Sequence, residues 1–125
     1  GNGRVRKMII GVGVDLVDIN RFESHLEKTP GLKEKIFRED EREVSINTLA
    51  GRFAAKEALV KAFGGSLGMH WHDVRVSKDE HGKPEINLFD ATANIAVEKG
   101  IAKLHLSISH DGGMATAFVI AEGEN

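Results

Sequence analysis

Apolar residues occupy every second position of residues 8–17, MIIGVGVDLV. A period of two is typical of a β-strand with one face in a core. The predicted core face consists of Ile10, Val12, Val14 and Leu16. The opposite face has Gly11, Gly13 and Asp15. The pattern therefore predicts a strand whose branched side chains pack inward and whose glycine face is nearly bare.

Three helices are predicted after this strand. Asp18 is a good N-cap for a helix through about Lys28, where a Pro-Gly pair follows. The charged stretch 32–44 is also predicted to be helical. Asn47 or Thr48 opens the strongest helix, LAGRFAAKEALVKAF, which a Gly-Gly pair ends.

The second half of the chain is richer in predicted strands. Residues 74–89 alternate around a turn and predict a hairpin, and Asp90 is expected to cap a helix that ends at Gly100. Two further strands flank the turn at 110–113. The order β-α-α-α-β-β-α-β-β indicates an α+β domain, with a mostly antiparallel sheet packed against the long central helix.

Length and composition limit the possible functions. A chain of 125 residues allows one domain, which we assign to residues 8–125, with residues 1–7 as an N-terminal extension. The net charge of −2 is too small for a nucleic-acid binder that relies on bulk charge. The absence of cysteine excludes disulfides, thiolate metal sites and cysteine nucleophiles. The short, interrupted apolar run after residue 7 favours neither a signal peptide nor a membrane segment, so we expect a cytoplasmic protein.

Asp15 is the first candidate for chemistry, because it ends an apolar strand on the face with the two glycines. Glycines let a ligand or another backbone approach closely, and a carboxylate at that point suits a hard cation such as Mg²⁺. The alternative is that Gly11 and Gly13 only admit a crossing helix while Asp15 caps the following turn. Spacing alone favours neither interpretation.

The long helix carries an unusual set of charges. Helical periodicity places four apolar residues in one stripe, namely Leu49, Phe53, Val60 and Phe63. Lys56 lies inside this stripe and Arg52 at its border, which predicts that both cations reach a shared anionic ligand or an interface. Glu57 and Lys61 are four residues apart, as in an ordinary surface ion pair worth about a few tenths of a kcal/mol.

Together, the candidate residues suit a phosphate bridged by a metal ion. Asp15 and Glu57 would bind Mg²⁺, and the cations of the long helix would bind phosphate oxygens. His110 ends a strand at a turn, where an imidazole can reach a ligand. Neither a P-loop nor a dinucleotide-binding fingerprint is present.

Two segments resemble the signature segments of the 4′-phosphopantetheinyl transferases. They are IIGVGVDLVDINRFE at 9–23 and GRFAAKEALVKAFG at 51–64. The family's third segment is matched by SISHDGGMATAFVIAE at 107–122, and its central hairpin by WHDVRVSKDEHGKPEINL at 71–88. The resemblance covers Met8 to Glu122 in order.

The resemblance implies transfer of the 4′-phosphopantetheine arm of coenzyme A to a serine of an apo acyl carrier protein, with Mg²⁺ as cofactor. It implies that Asp15 and Glu57 bind the metal and that Lys61 neutralises or protonates the leaving group. The positions that it places near the coenzyme A phosphates are Arg52, Lys56 and His110. Small members of the family act as homotrimers with sites between subunits, so a homotrimer is expected.

The resemblance also implies an acidic carrier protein as partner. Arg21, with Lys28 two turns further along the same helix, is predicted to dock it, although Arg21 pairing with Asp18 is the alternative. Without the resemblance, the same residues would also fit another Mg²⁺-dependent nucleotide phosphohydrolase. A third interpretation is a non-catalytic trimeric binding module with Arg52, Lys56 and Glu57 in interface ion pairs.

Overall fold

The computed structural model describes residues 6–124. Its elements are β1 (Lys7–Asp18), α1 (Ile19–Lys28), α2 (Leu32–Ile36), α3 (Ile46–Ala62), β2 (Val74–Lys78), β3 (Pro84–Leu88), α4 (Asp90–Glu98), β4 (Ile101–Asp111) and β5 (Met114–Glu124), with single 3₁₀ turns at Glu39–Glu41 and Trp71–Asp73. This order confirms the predicted one. Of the extension predicted at 1–7, residues 1–5 lie outside the described residues, and Lys7 is already part of β1.

Both sheets are antiparallel, as predicted for an α+β fold. Strands β1, β5 and β4 form one sheet in that order, and β2 and β3 form a separate hairpin. In the larger sheet Asp15 pairs with Ala117 on one side of β5, and His110 pairs with Ala115 on the other. Since residues two apart on a strand share a face, Asp15 and His110 lie on the same face at the same end of the sheet.

The glycines of β1 let α3 contact the strand backbone. A Cβ atom at Gly11 would lie 2.0 Å from the carbonyl oxygen of Ala62, and one at Gly13 would lie 1.9 Å from that of Ala58. The glycine face is therefore covered by a helix, as one part of the alternative interpretation proposed, whereas the cap of the following helix is Asp18 and not Asp15.

The prediction that the branched side chains of β1 face the core is wrong. Val12, Val14 and Leu16 remain 53, 54 and 62% exposed, because the helix packs on the opposite, glycine side of the strand. The core lies instead between α3 and the inward face of β5. Its β5 members are Ala115, Ala117, Val119 and Ala121. The small side chains on both elements let the helix and the sheet approach closely, so the prediction that α3 is largely buried is confirmed.

The start of α3 and the length of α2 differ from prediction. Ser45, not Asn47 or Thr48, caps α3, and its hydroxyl accepts the backbone N–H of Thr48 at 3.2 Å. The stretch 32–44 forms a regular helix only in α2, because the segment after it turns inward around a buried Glu41.

Asp90 is the first residue of α4 rather than its cap. The capping hydrogen bond comes instead from Asp73, whose carboxylate accepts the backbone N–H of Thr92 at 3.2 Å. A cap supplied from another segment of the chain has no local sequence signal. No helix in residues 6–124 is long and apolar enough to cross a membrane.

Candidate active site

The end of β1 and the last turns of α3 bring the first candidates together. The Lys61 ammonium lies 3.1 Å from Asp15 Oδ1 and also donates to the Val14 carbonyl oxygen at 2.9 Å. The Thr116 hydroxyl donates to the Asp15 carbonyl oxygen at 2.8 Å and fixes the strand there. The ion pair predicted between Glu57 and Lys61 is replaced by this contact, because the close packing of α3 on β1 brings Asp15 within reach of Lys61.

Glu57 and Asp15 line the same cavity, of about 260 Å³. Burial raises the pKa of the Glu57 carboxyl, the Asp15 charge raises it further, and Lys61 opposes both effects. A cation bound between the two carboxylates would remove this repulsion. The pair is therefore suited to a positively charged ligand.

The two carboxylates are suited to Mg²⁺ rather than to a metal ion whose ligands are all protein side chains. In the described part of the chain, no three His, Asp or Glu side chains form a group that could hold a metal ion by themselves. Mg²⁺ is commonly bound through one or two carboxylates, with waters and substrate phosphates as its remaining ligands. Asp15 and Glu57 match that pattern.

A second cavity, of about 200 Å³, is lined by two cationic side chains and a histidine. Arg52, Lys78 and His110 line it. His110 donates from Nε2 to the Asn47 carbonyl oxygen at 2.8 Å. Gly51 makes room for this ring, because a Cβ there would lie 3.0 Å from His110 Nε2. The cavity is suited to an anion.

Lys78 was missed by the sequence analysis. The signal available was a basic residue at the end of β2, directly before the hairpin turn, and it could be placed beside Arg52 only once the hairpin was seen against α3.

Lys56 does not contribute to this anion site, although it was predicted to contact a coenzyme A phosphate. Its side chain is buried, and its ammonium donates to Glu41 Oε1 at 2.7 Å, the Ile36 carbonyl at 2.9 Å and the Trp71 carbonyl at 3.2 Å. An ammonium has three donors, and all three are engaged. Burial lowers the pKa of Lys56, and Glu41 opposes that effect.

Helix α1 places further charge beside the carboxylates. Arg21 and His25 line the cavity that contains Asp15, and His25 had no signal in the sequence. Asp18 caps the helix by accepting the backbone N–H of Arg21 at 2.9 Å. The guanidinium of Arg21 makes no ion pair within 4.0 Å to any of the described residues, so the predicted alternative of an Arg21–Asp18 ion pair is not observed. Lys28 is exposed at the end of the helix.

Glu57 also borders a larger cavity, of about 390 Å³, between α3 and the segment before β2. Val60, Met69 and Trp71 give this cavity apolar walls. Glu57 thus stands between a charged cavity and a partly apolar one, an arrangement suited to a ligand with a phosphate and an extended, mostly uncharged arm.

Comparison with known proteins identifies the family. The profile of the 4′-phosphopantetheinyl transferase superfamily matches residues 11–119. The holo-[acyl-carrier-protein] synthase of Clavibacter michiganensis is 50% identical over 117 residues, which cover 94% of this chain and 98% of the relative.

Solved structures agree with this assignment. The holo-ACP-synthase of Plasmodium yoelii superimposes with a TM-score of 0.84 at 30% identity and covers 96% of this chain and 99% of its own. The Helicobacter pylori holo-[acyl-carrier-protein] synthase in complex with coenzyme A gives 0.78 at 30% identity, over 88% of this chain and 98% of its own. This chain belongs to the 4′-phosphopantetheinyl transferase superfamily.

Proposed function

We propose that this chain transfers 4′-phosphopantetheine from coenzyme A to a serine of an apo acyl carrier protein and releases adenosine 3′,5′-bisphosphate. The observation that carries the proposal is the half-buried Glu57 beside the Asp15–Lys61 pair, in a chain that matches holo-[acyl-carrier-protein] synthases along nearly its whole length. A cytoplasmic location is part of the same proposal.

Asp15 and Glu57 are the proposed ligands of Mg²⁺. Their carboxylates are the hard oxygen donors that this ion prefers, and their mutual repulsion favours a cation between them. When bound, Mg²⁺ supplies charge stabilisation to the pyrophosphate that reacts.

Lys61 is proposed to act on the leaving group. The carrier serine gives up its hydroxyl proton to a basic group of the site as its oxygen forms a bond to the phosphorus that bears the pantetheine, and the bond from that phosphorus to the bridging oxygen of the pyrophosphate breaks. Negative charge then develops on the bisphosphate that leaves. The Lys61 ammonium, held by Asp15 and the Val14 carbonyl but still 55% exposed, can neutralise or protonate it.

A coenzyme A phosphate outside the reacting pyrophosphate is proposed to bind the cavity of Arg52, Lys78 and His110. The Arg52 guanidinium and the Lys78 ammonium there offer charge-assisted hydrogen bonds to phosphate oxygens. Lys56 is left out of this set because its ammonium has no free donor.

A homotrimer is proposed because one sheet face has no cover within the described chain. Val12, Val14, Leu16 and Phe118 are between 43 and 62% exposed, and Val14 pairs directly with Phe118 across the β1–β5 ladder. Contiguous apolar patches of this kind mark interfaces. We propose that neighbouring copies cover this face and complete sites between subunits.

Sedimentation tests the trimer. Val12→Lys places a charge in the apolar face and should give monomers, whereas Leu67→Lys, at a residue that is 90% exposed in a loop, should leave the trimer intact. A wild-type chain that sediments as a monomer at micromolar concentration contradicts this part of the proposal.

The carrier protein is proposed to dock on α1 through Arg21 and Lys28. Both residues are exposed on the helix that leaves the Asp15 end of β1, so an acidic partner bound there would face the reacting cavity.

Mass spectrometry tests the activity directly. With coenzyme A and Mg²⁺, an apo acyl carrier protein should gain one phosphopantetheine, and a carrier whose acceptor serine is changed to alanine should gain none. Glu57→Gln and excess EDTA should both prevent the gain. Release of inorganic phosphate without a carrier would indicate a nucleotide phosphohydrolase instead. Binding of coenzyme A without turnover or metal dependence would indicate a non-catalytic module.

A further inference from the structure

Glu41 forms a buried centre of hydrogen bonds that lies outside the reacting cavities. Its side chain is 1% exposed. Oε1 accepts the Lys56 ammonium and the Arg38 backbone N–H, both at 2.7 Å, and Oε2 accepts the backbone N–H of Val76 at 2.8 Å. One carboxylate thus joins the 3₁₀ turn at Glu39–Glu41 to α3 and to β2.

The backbone of the same residue contacts Arg52. The Glu41 carbonyl oxygen accepts a hydrogen bond from Arg52 Nη1 at 2.8 Å. Arg52 lies on α3 and lines the cavity shared with Lys78 and His110. A long arginine side chain has many rotamers, and a fixed carbonyl acceptor restricts them before any ligand arrives.

We propose that Glu41 is a positioning residue for coenzyme A: its buried carboxylate fixes the carbonyl that holds the Arg52 guanidinium at the phosphate cavity. The inference rests on the proposed function, because it assigns a coenzyme A phosphate to that cavity. Glu41 touches no substrate and acts only through Arg52.

A neutral residue of the same shape, such as glutamine, could not make all the hydrogen bonds that the Glu41 carboxylate makes. Glutamine can still accept the Lys56 ammonium and the Arg38 N–H with its single oxygen. Its amide NH₂ group would then face the Val76 N–H, donor against donor, so the turn would be held at one end only. The Glu41 carbonyl would move, and Arg52 would lose its fixed partner.

A double-mutant cycle tests the proposal, with binding of adenosine 3′,5′-bisphosphate measured by calorimetry and KM measured for both substrates. Glu41→Gln should raise the Kd of the bisphosphate and the KM for coenzyme A about threefold to tenfold, as expected for weakening one charge-assisted hydrogen bond. It should leave kcat and the KM for the carrier protein within about twofold. Added to Arg52→Ala, it should change the Kd by less than about twofold, because the residue through which it acts is already gone.

Leu104→Ala is the matched control for lost stability. Leu104 packs against the core from β4 and lines none of the three cavities that contain Arg52 or Glu57. This variant should lower the melting temperature and leave the Kd unchanged. If Glu41→Gln does not fold, Glu41→Asp, which keeps the charge but withdraws the carboxylate by one methylene, takes its place in the cycle.

The possible outcomes separate this inference from the proposed function. Effects of Glu41→Gln and Arg52→Ala that add fully, or a loss confined to kcat, overturn the positioning role while transferase activity stands. An unchanged Kd in Arg52→Ala removes Arg52 from the phosphate site and the inference with it. If no carrier protein is modified, the proposed function fails, yet the calorimetric cycle still tests the link from Glu41 to Arg52.

Discussion

Helix α3 carries two lysines five residues apart, and each forms an ion pair with a distant carboxylate. Lys56 lies 2.7 Å from Glu41, and the two side chains are 0 and 1% exposed. Lys61 lies 3.1 Å from Asp15, and those side chains are 55 and 18% exposed. The first pair is closed to solvent and fully hydrogen-bonded, whereas the second is open.

The difference separates a structural role from a chemical one. Two charges taken out of water cost desolvation free energy that only good geometry and further hydrogen bonds offset, and the Glu41 cluster supplies both. Such a pair has no capacity left for a ligand. The open pair has little to gain in stability, because solvent screens it, but its ammonium can turn to a phosphate oxygen.

The largest expected effect is the loss of stability in Lys56→Met. This change leaves Glu41 charged, buried and without its partner, which should lower the free energy of unfolding by about 3–5 kcal/mol in urea titrations. The same substitution at Lys61 should change it by less than about 0.5 kcal/mol. The double variant Glu41→Gln with Lys56→Met, which removes both charges, should recover part of the loss. Equal stability of the two single variants would contradict the comparison.

The reverse ranking is expected for catalysis. Lys61→Met removes a charge that acts on the leaving group, so kcat should fall by about 10²–10³-fold with a much smaller change in KM for coenzyme A. Steady-state assays with apo carrier protein measure both constants. Lys61→Arg, which keeps the charge, should retain more activity than Lys61→Met. A pure KM effect would make Lys61 a binding residue instead.

The sequence predicted the order of elements because periodicity, caps and glycine turns are local signals. Periodicity placed Lys56 inside the apolar stripe of the long helix and Lys61 on its flank with Glu57, but it could not show which lysine is buried against a carboxylate. What differs is the partner: Glu41 lies 15 residues before Lys56 in a charged stretch without a readable pattern, and Asp15 lies 46 residues before Lys61. Pairing over such separations depends on packing that no short window contains.

The glycine face of β1 shows a second limit. Alternation correctly predicted a strand, but it placed the branched side chains in the core, because apolar side chains usually face inward. A helix backbone can cover bare glycines, and α3 does so at Gly11 and Gly13. The branched face is then left for another surface. Asp15 was nevertheless correctly placed on the covered face, although the strand continues beyond it to Asp18.

Glu57 extends the comparison, because its raised pKa makes the stability of the protein depend on pH. Its folded-state pKa is raised above the usual value near 4.5 by burial first and by Asp15 second. The folded chain therefore binds more protons than the unfolded chain between that value and the raised one, so the stability of metal-free protein should fall as the pH rises through this window. Glu57→Gln should show a smaller fall and should melt higher than the wild type at pH 8 in EDTA.

Added Mg²⁺ provides the control for this prediction. It should raise the melting temperature of the wild type at pH 8 and not that of Glu57→Gln, because only the wild type has both carboxylates. A melting curve of Glu57→Gln that follows the wild type at every pH, with and without Mg²⁺, would show that Glu57 is not strained in the folded state.

The smallest expected effect concerns the open side of the molecule, where Arg21 stands beside the cavity of Asp15 and Glu57. Since its guanidinium is exposed and makes no ion pair to the described residues, it is available to an acidic partner. Arg21→Glu should raise the KM for the carrier protein about threefold to tenfold at low ionic strength and leave the KM for coenzyme A nearly unchanged. The difference from wild type should shrink as salt is added, because exposed charges are screened.

Lys103→Glu, at an exposed position of β4, makes the same change in net charge and should leave both KM values unaltered. If Arg21→Glu and Lys103→Glu raise the carrier KM equally, net charge rather than a local contact steers the partner. If Arg21→Glu weakens both substrates alike, the side chain acts on the electrostatics of Asp15 and Glu57, and α1 is not the docking helix.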